Sequence, residues 1–204
     1  MLMLLSALLF SISSNLDNVV VGTAYGIKKI KIGIIANFII AVVSTTGTFI
    51  SMSLGWYIAK FMPPSVANIL GAGIIVLMGL YFVIQNLIKV FHTTNSKELA
   101  LKDLKEMVEY AEKSDADQSG HIDHKEAFIL ALGLTFNNLG TGVAASITGV
   151  NIFFTVIATF IISILTIILG VSIGKNVFGR FFGKYAPFIA GVLLMILGFI
   201  EMFN

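Results

Sequence analysis

The sequence predicts an all-α integral membrane protein of six transmembrane helices, arranged as two inverted three-helix repeats with a cytoplasmic EF-hand-like loop. Three observations predict this class: an oily composition, long uncharged runs, and similarity between the two halves. The 204 residues are 57% hydrophobic and 12% charged, with a mean hydropathy of +0.95. A soluble globule of this size cannot bury so much apolar surface, so the solvent must be lipid.

Six apolar runs have the length of a membrane crossing, which takes about 20 residues for roughly 30 Å of hydrocarbon. They cover residues 4–27, 33–59, 66–88, 127–147, 150–174 and 185–200. The first run has no basic residues before it and no small-residue cleavage site after it, so we interpret it as a helix rather than a removable signal peptide. The absence of cysteine excludes disulfides and thiolate metal sites. The net charge of +2 is too small to indicate a nucleic-acid partner.

The basic residues indicate an orientation in the bilayer. With the N-terminus outside, all 13 Lys and Arg residues except Lys60 fall in cytoplasmic connections. This is the positive-inside pattern. Both termini are therefore predicted outside, and the long polar segment between helices 3 and 4 is predicted in the cytoplasm.

The two halves of the chain resemble each other at polar and glycine positions. A shift of 120 residues sets Asn18, Gly22, Ala24 and Ile27 on Asn138, Gly142, Ala144 and Ile147, and a shift of 119 sets Ser44, Gly55 and Gly79 on Ser163, Gly174 and Gly198. Because each half has three crossings, the second half must be inverted, as in many secondary transporters with a midplane site. The alternative is that apolar helices simply look alike. The predicted units are residues 1–91, 92–126 and 127–204.

Asp17 is the only ionisable residue deep inside the six predicted helices. A carboxylate there costs at least ~2.5 kcal/mol unless it faces the bundle interior, water or a cation. The same shift of 120 places Asn137 on Asp17, so that amides from the second half would stand at the matching depth. The alternative roles are a protonated aspartate that packs helices and amides that join them.

Small polar residues extend this candidate site along helices 2 and 5, at helical spacing. Such faces allow close helix packing, which is the more common reason for them, and they can also line a hydrated path. The predicted transport site comprises Asp17, Asn18, Asn37, Ser44, Asn137, Asn138 and Ser163.

The cytoplasmic run DADQSGHIDHKE matches the EF-hand loop template, with Gly120 at the turn. The predicted metal ligands are Asp115, Asp117, Ser119, His121 through its backbone carbonyl, Asp123 and Glu126. The predicted cofactor is Ca²⁺, with Mn²⁺ or Mg²⁺ as alternatives; an acidic turn without metal is the other interpretation. A helix is predicted over residues 97–113. A single loop of this kind binds weakly or pairs across a homodimer.

The loop also joins the membrane site, because Glu126 begins the helix that carries Asn137 and Asn138. A cytoplasmic cation that pulls on Glu126 would therefore pull on the transport site. This adjacency predicts a regulatory or cation-gathering role.

These residues resemble a known family. The run Ser14-Asn15-Leu16-Asp17-Asn18 followed by Gly22, together with the inverted repeats, is similar to the bacterial manganese efflux pump family MntP. The cytoplasmic insertion and Asn137-Asn138 are more similar to its YtaF branch, named as a sporulation membrane protein. The resemblance implies a six-helix exporter of Mn²⁺ in the bacterial plasma membrane, with an aspartate at the centre of each repeat.

Asp17 matches the first of these aspartates, whereas Asn137 stands at the second. An amide keeps a carbonyl ligand but removes a charge, so the site is weaker for a dication, selects another ion, or couples differently to protons.

The leading hypothesis is a secondary transporter that exports a divalent cation, Mn²⁺ or Ca²⁺, under regulation by cytoplasmic cation binding. Two alternatives are an exporter of a small polar solute and a calcium-responsive sporulation scaffold without transport. An enzyme is least favoured, because the sequence has no HExxH motif, no paired intramembrane aspartates and no serine nucleophile with a placed histidine.

Overall fold

The computed structural model describes residues 2–92, 109, 111–175 and 179–203, and these are almost entirely helical. We number the elements α1 (Leu2–Ser14), α2 (Leu16–Lys28), β1 (Lys31–Ile32), α3 (Ile34–Ala59), α4 (Pro64–His92), β2 (His121–Ile122), α5 (His124–Ile147), α6 (Ile152–Gly174) and α7 (Gly179–Met202). Of the helix predicted over 97–113, residues 109 and 111–113 are described and are helical. The rest of that prediction lies outside the described residues.

Five helical segments in the described part of the chain are long and apolar enough to cross a membrane, the first being α1 and α2 together. Helix α5 makes a sixth if its two parts, which bend by 49° between Phe136 and Asn138, count as one span. Large apolar side chains such as Phe38, Leu77 and Ile168 lie exposed on the outer surface, where lipid would cover them. The prediction of an all-α, multi-pass membrane protein is confirmed at this level.

The first predicted helix is interrupted at Asn15, which lies between α1 and α2 with φ −111° and ψ 7°. Local side chains compete with the helix for its backbone groups here. The Ser14 hydroxyl and the Asn15 amide both donate to the Ser11 carbonyl, at 3.3 and 2.8 Å. The interruption leaves polar backbone groups inside the bundle, where another element must satisfy them.

The helices pack in three close pairs, α2 with α6, α3 with α5, and α4 with α7. Glycines allow the backbones to touch in each pair. A Cβ atom added at Gly26 would lie 2.4 Å from the Val171 carbonyl oxygen, and one added at Gly79 would lie 2.6 Å from the Gly191 carbonyl oxygen. These faces therefore act in helix packing, as the spacing of small residues indicates.

A short parallel ladder, which the sequence analysis did not predict, joins the polar loop to the connection between α2 and α3. Lys31 of β1 pairs with His121 of β2, and Ile32 pairs with Ile122. Ile122 also packs into a buried cluster with Tyr25 of α2 and residues of α3 and α5. The loop is therefore attached to the helical bundle at two places, through β1 and through α5.

Substituting Gly26 by alanine should lower the free energy of unfolding by about 1–3 kcal/mol, because the new methyl group overlaps a backbone oxygen that cannot move freely. Gly73→Ala is the matched control, since an added Cβ at this helical glycine meets nothing within 4 Å. Thermal unfolding in detergent compares the two. Equal melting temperatures would show that α2 and α6 are not in backbone contact.

Candidate functional site

Asp17 and Asn138 join the two halves of the chain inside the bundle. One carboxylate oxygen of Asp17, in the first turn of α2, accepts the backbone N–H of Asn18 at 2.8 Å. The other accepts the side-chain amide of Asn138 at 3.2 Å, and the same amide donates to the Ser14 carbonyl at 2.7 Å. The N-terminal end of a helix favours a negative charge, so α2 itself also stabilises the carboxylate. The Asn138 amide of α5 is thus a hydrogen-bond donor both to the backbone next to the helix interruption and to the Asp17 carboxylate.

Asn18 lies next to this junction and is 2% exposed. Its amide nitrogen donates to Asn15 Oδ1 at 2.8 Å and to Ser163 Oγ of α6 at 3.1 Å. Its own oxygen, Oδ1, is buried without a hydrogen-bond partner among the described residues. Leaving a buried acceptor unsatisfied costs about 1–3 kcal/mol, so this oxygen favours the arrival of a water or a cation.

A small cavity lies beside Asn18, between spans from both halves, and most of the residues that line it have polar side chains. It has room for about one water-sized ligand. Its lining consists of Ser14, Asn15, Asn18, Ser44, Gly47, Thr48, Ser51, Leu134, Thr135, Asn138, Leu139 and Thr159. Hydroxyl and amide oxygens of this kind are ligands for hard divalent cations.

Three of the predicted transport-site residues line this cavity: Asn18, Ser44 and Asn138. Asp17 lies next to the cavity through its bond to Asn138 and is not part of the lining. Ser163 is buried behind Asn18.

Asn37 and Asn137 are the remaining residues of the predicted transport site. Asn37 is buried away from the cavity lining, where its amide donates to the Ile164 carbonyl at 3.2 Å and its oxygen has no partner among the described residues. The side chain of Asn137 lies outside the described residues.

Sequence reasoning missed several lining residues. Ser14 and Asn15 belong to the run that resembles the MntP family, and Thr48 and Thr159 lie on the small polar faces of the second and fifth predicted helices. Thr135 could have been found, because the shift of 120 residues sets it on Asn15.

Glu201 of α7 was also missed. It is 3% exposed and accepts a hydrogen bond from Ser6 of α1, just beyond the end of the predicted sixth helix.

The EF-hand-like loop brings three carboxylates together. Oxygen atoms of Asp115, Asp117 and Glu126 lie within 4.8 Å of one another. Asp115 accepts the backbone N–H groups of Ser119 and Gly120, each at 3.0 Å. Gly120 has φ +75°, a conformation that favours glycine. This donor set of hard oxygens fits Ca²⁺ or a similar dication.

The other predicted loop ligands hold the loop in shape. Asp123 caps the N-terminus of α5 by accepting the Glu126 N–H at 2.8 Å, in a capping box. The His121 carbonyl accepts the Ser119 hydroxyl at 2.9 Å. Hydrogen bonds from Ser119 lower the pKa of Asp117, so this carboxylate favours the charged form that a metal requires.

Contacts with the bundle fix the position of the loop. The Lys31 N–H donates to the Gly120 carbonyl at 2.9 Å, and Lys28 forms an ion pair with Glu112. Ala111, Ile122 and Tyr25 are buried in one cluster. The loop thus contacts α2, which carries Asp17, as well as α5, which carries Asn138.

Comparisons with known proteins agree on one family. The model of the family described as "Putative manganese efflux pump" (Mntp) matches residues 99–202. The chain is also 32% identical over 209 residues to the "Probable sporulation protein YtaF" of Bacillus subtilis (strain 168), which covers 96% of this chain and 97% of that protein. No solved structure matches the chain significantly.

Replacing Asn138 by leucine should lower the free energy of unfolding by about 1–3 kcal/mol, because the Ser14 carbonyl and the Asp17 carboxylate both lose a donor inside the bundle. Thr46→Val is the control, since the exposed Thr46 hydroxyl bonds only to its own helix in the described contacts. Denaturation in detergent measures both variants. If the two were equally stable, the junction would contribute little to holding α2 against α5.

Proposed function

The chain belongs to the MntP family of manganese efflux pumps, and from this premise we propose that it is a secondary transporter that exports a divalent metal cation, Mn²⁺ or Ca²⁺. The family is one of membrane transporters and not an enzyme class. The observation that carries the proposal is the buried, unsatisfied oxygen of Asn18, a residue that lines the cavity together with Asn138, whose amide donates to the Asp17 carboxylate. A dication needs such oxygen ligands and a nearby negative charge in lipid.

The two halves are proposed to be inverted repeats, and related contacts support this. A Cβ added at Gly22 would lie 3.1 Å from Gly170 Cα, and one added at Gly142 would lie 3.1 Å from Ser51 Cβ. The shifts of 120 and 119 residues convert the first pair into the second.

Two more pairs of contacts follow the same rule. The shifts set the contact between Gly26 and Gly174 on the contact between Ser146 and Gly55. They also set the contact between Gly79 and Gly191 on the contact between Gly198 and Ala72. A pseudo-twofold axis between the repeats would generate all of these relations. Rocking one repeat against the other would then expose the site to each side in turn.

The transport site of this proposal consists of Asp17, Asn18 and Asn138 at the junction, with Ser44, Ser163, Asn37 and Asn137 as further contributors. Asp17 supplies the charge, and amide and hydroxyl oxygens replace the hydration shell of the cation. With an amide at position 137, the site has less charge than the paired aspartates that the family resemblance implies. We expect weaker binding of a dication than a site with two carboxylates would give.

The bilayer orientation is proposed from the distribution of charge, with both termini outside and the loop in the cytoplasm. Lys28 is the last residue of α2, and Lys29 and Lys31 lie in the connection that pairs with the loop. Lys113 lies just before the loop and Lys125 lies within it. These basic residues therefore lie at one end of the bundle, as the positive-inside rule expects for the cytoplasmic side.

The loop is proposed to bind Ca²⁺, or Mn²⁺ or Mg²⁺, from the cytoplasm and to regulate transport. Asp115, Asp117 and Glu126 would hold the ion with Ser119, Asp123 and the His121 carbonyl. Binding would tighten the loop on α5 through Glu126 and on α2 through the β1–β2 ladder. The ladder pairs the loop within a single chain, and a homodimer stays a prediction.

A second candidate function is a calcium-responsive membrane scaffold used in spore formation, without transport. The name of the Bacillus relative and the loop favour it. Export of a small polar solute through the same cavity is the remaining alternative. Direct flux measurements separate the three.

In proteoliposomes, the unaltered chain should move Mn²⁺ or Ca²⁺ faster than protein-free vesicles do, and Mg²⁺ serves as the comparison ion. Asp17→Asn should lower the rate at least about tenfold, because the charge that offsets the dication in lipid is lost. Thr46→Val is the control variant. Absence of cation flux above the protein-free rate would contradict cation export and favour the scaffold or the polar solute.

Alanine at both Asp115 and Glu126 should abolish cation binding to the loop, measured by calorimetry on the detergent-solubilised chain, because two of three clustered carboxylates are removed. Transport should then no longer respond to Ca²⁺ on the cytoplasmic side. Glu109→Gln, a carboxylate outside the loop template, is the control. Unchanged binding and unchanged transport in the double variant would show that the loop is not a metal site.

A further inference from the structure

Thr135 of α5 has a side-chain hydroxyl that is buried without a hydrogen-bond partner among the described residues. The residue lines the same polar cavity as Asn18, whose Oδ1 is also buried and without a partner there. Two residues that each carry an unsatisfied buried oxygen, one from each half of the chain, therefore line one small cavity. Buried polar atoms of this kind call for an ion or a water that the protein itself does not supply.

The hydroxyl of Thr135 does not form the bond that helical threonines usually form. Thr23, Thr155 and Thr166 donate to carbonyls of their own helices, four residues earlier, at 2.7–2.8 Å. This back-bond is the ordinary way for threonine to satisfy its hydroxyl inside a helix. The Thr135 hydroxyl thus lacks the back-bond that these three threonines form.

Gly47 of α3 explains how the Thr135 side chain is held. A Cβ added at Gly47 would lie 1.9 Å from the Thr135 methyl carbon, so the missing side chain leaves the space that the methyl group occupies. Because threonine is branched at Cβ, fixing its methyl group also fixes the direction of its hydroxyl. The absence of a side chain at Gly47 therefore permits the rotamer in which the Thr135 methyl group faces α3.

Asn15, the counterpart of Thr135 under the shift of 120 residues, already has a partner. Its Oδ1 accepts the amide of Asn18 at 2.8 Å. Thr135 is thus the member of this related pair whose oxygen is available to a ligand.

We propose that Thr135 is a direct, specificity-determining ligand of the transported divalent cation. Thr135 Oγ1 binds the ion from the second half of the chain, and Asn18 Oδ1 binds it from the first half. Asp17 supplies negative charge without contacting the ion, through a carboxylate that accepts the Asn138 amide. Neutral hydroxyl and amide oxygens suit a hard cation such as Mn²⁺ or Ca²⁺. This assignment rests on the proposed transport function, because a cation that bridges the halves is what a site between repeats requires.

Thr135→Val tests the assignment, because valine keeps the shape and the methyl group and removes the hydroxyl. Thr45→Val is the matched control, since the Thr45 hydroxyl is also buried without a partner among the described residues but does not line the cavity. Two quantities are measured for each: the rise in melting temperature on adding Mn²⁺ or Ca²⁺, and the KM for flux in proteoliposomes.

Without cation, both variants should be as stable as the unaltered chain or more stable, because each loses an unsatisfied buried hydroxyl. With cation, Thr135→Val should lose most of the stabilisation and show a KM raised about tenfold. Thr45→Val should keep both values, and Thr135→Ser should recover part of the affinity, because it keeps the hydroxyl but loses the methyl group that orients it. Opposite effects on stability and affinity distinguish a ligand from a residue that only packs.

If the unaltered chain transports the cation and Thr135→Val behaves like Thr45→Val, the cavity holds a structural water at Thr135 and this assignment is wrong. If the unaltered chain shows neither flux nor stabilisation by cations, the proposed function is wrong as well. Should Thr135→Val fail to fold, Thr135→Ser and Thr135→Ala replace it. Equal cation affinity in that pair would overturn the assignment.

Discussion

Lipid cannot hydrogen bond to a backbone, so the polar groups at the interrupted first span need a donor from inside the protein. Asn138 provides it, by donating to both the Ser14 carbonyl and the Asp17 carboxylate. This amide thus bonds to both the helix break and the carboxylate, which also accepts the backbone N–H of Asn18. The polar cavity beside it, and therefore the candidate site, depends on this contact between the two halves.

Close backbone packing surrounds this polar junction. Glycine contacts bring α2 against α6 and α3 against α5 so closely that added methyl groups would overlap carbonyl oxygens. Dispersion contacts and small residues are the main source of helix association in lipid, where the hydrophobic effect does not act between helices. The close packing of these helices positions the polar groups inside the bundle.

Hydrophobic run lengths predicted five of the six spans, and the sixth corresponds to the bent helix α5. Three residues of the predicted transport site, Asn18, Ser44 and Asn138, line one cavity. The break at Asn15 was not predictable from hydropathy, because it arises from side chains that compete locally for the Ser11 carbonyl. A two-residue strand such as β1 is too short to show any periodicity. The shift of 120 residues sets Thr135 on Asn15, but its contact with Gly47 and its missing back-bond are visible only in the structure.

The ladder between β1 and β2 has a consequence for the length of the short connection after α2. Side chains on a strand alternate between faces, so a slip of one residue would turn Ile32 and Ile122 to the wrong sides of the pairing. Ordinary surface connections tolerate insertions and deletions. This one should not, and a single added residue between Lys28 and Gly33 should break the pairing of β1 with β2 while leaving the acidic loop and the first span each folded.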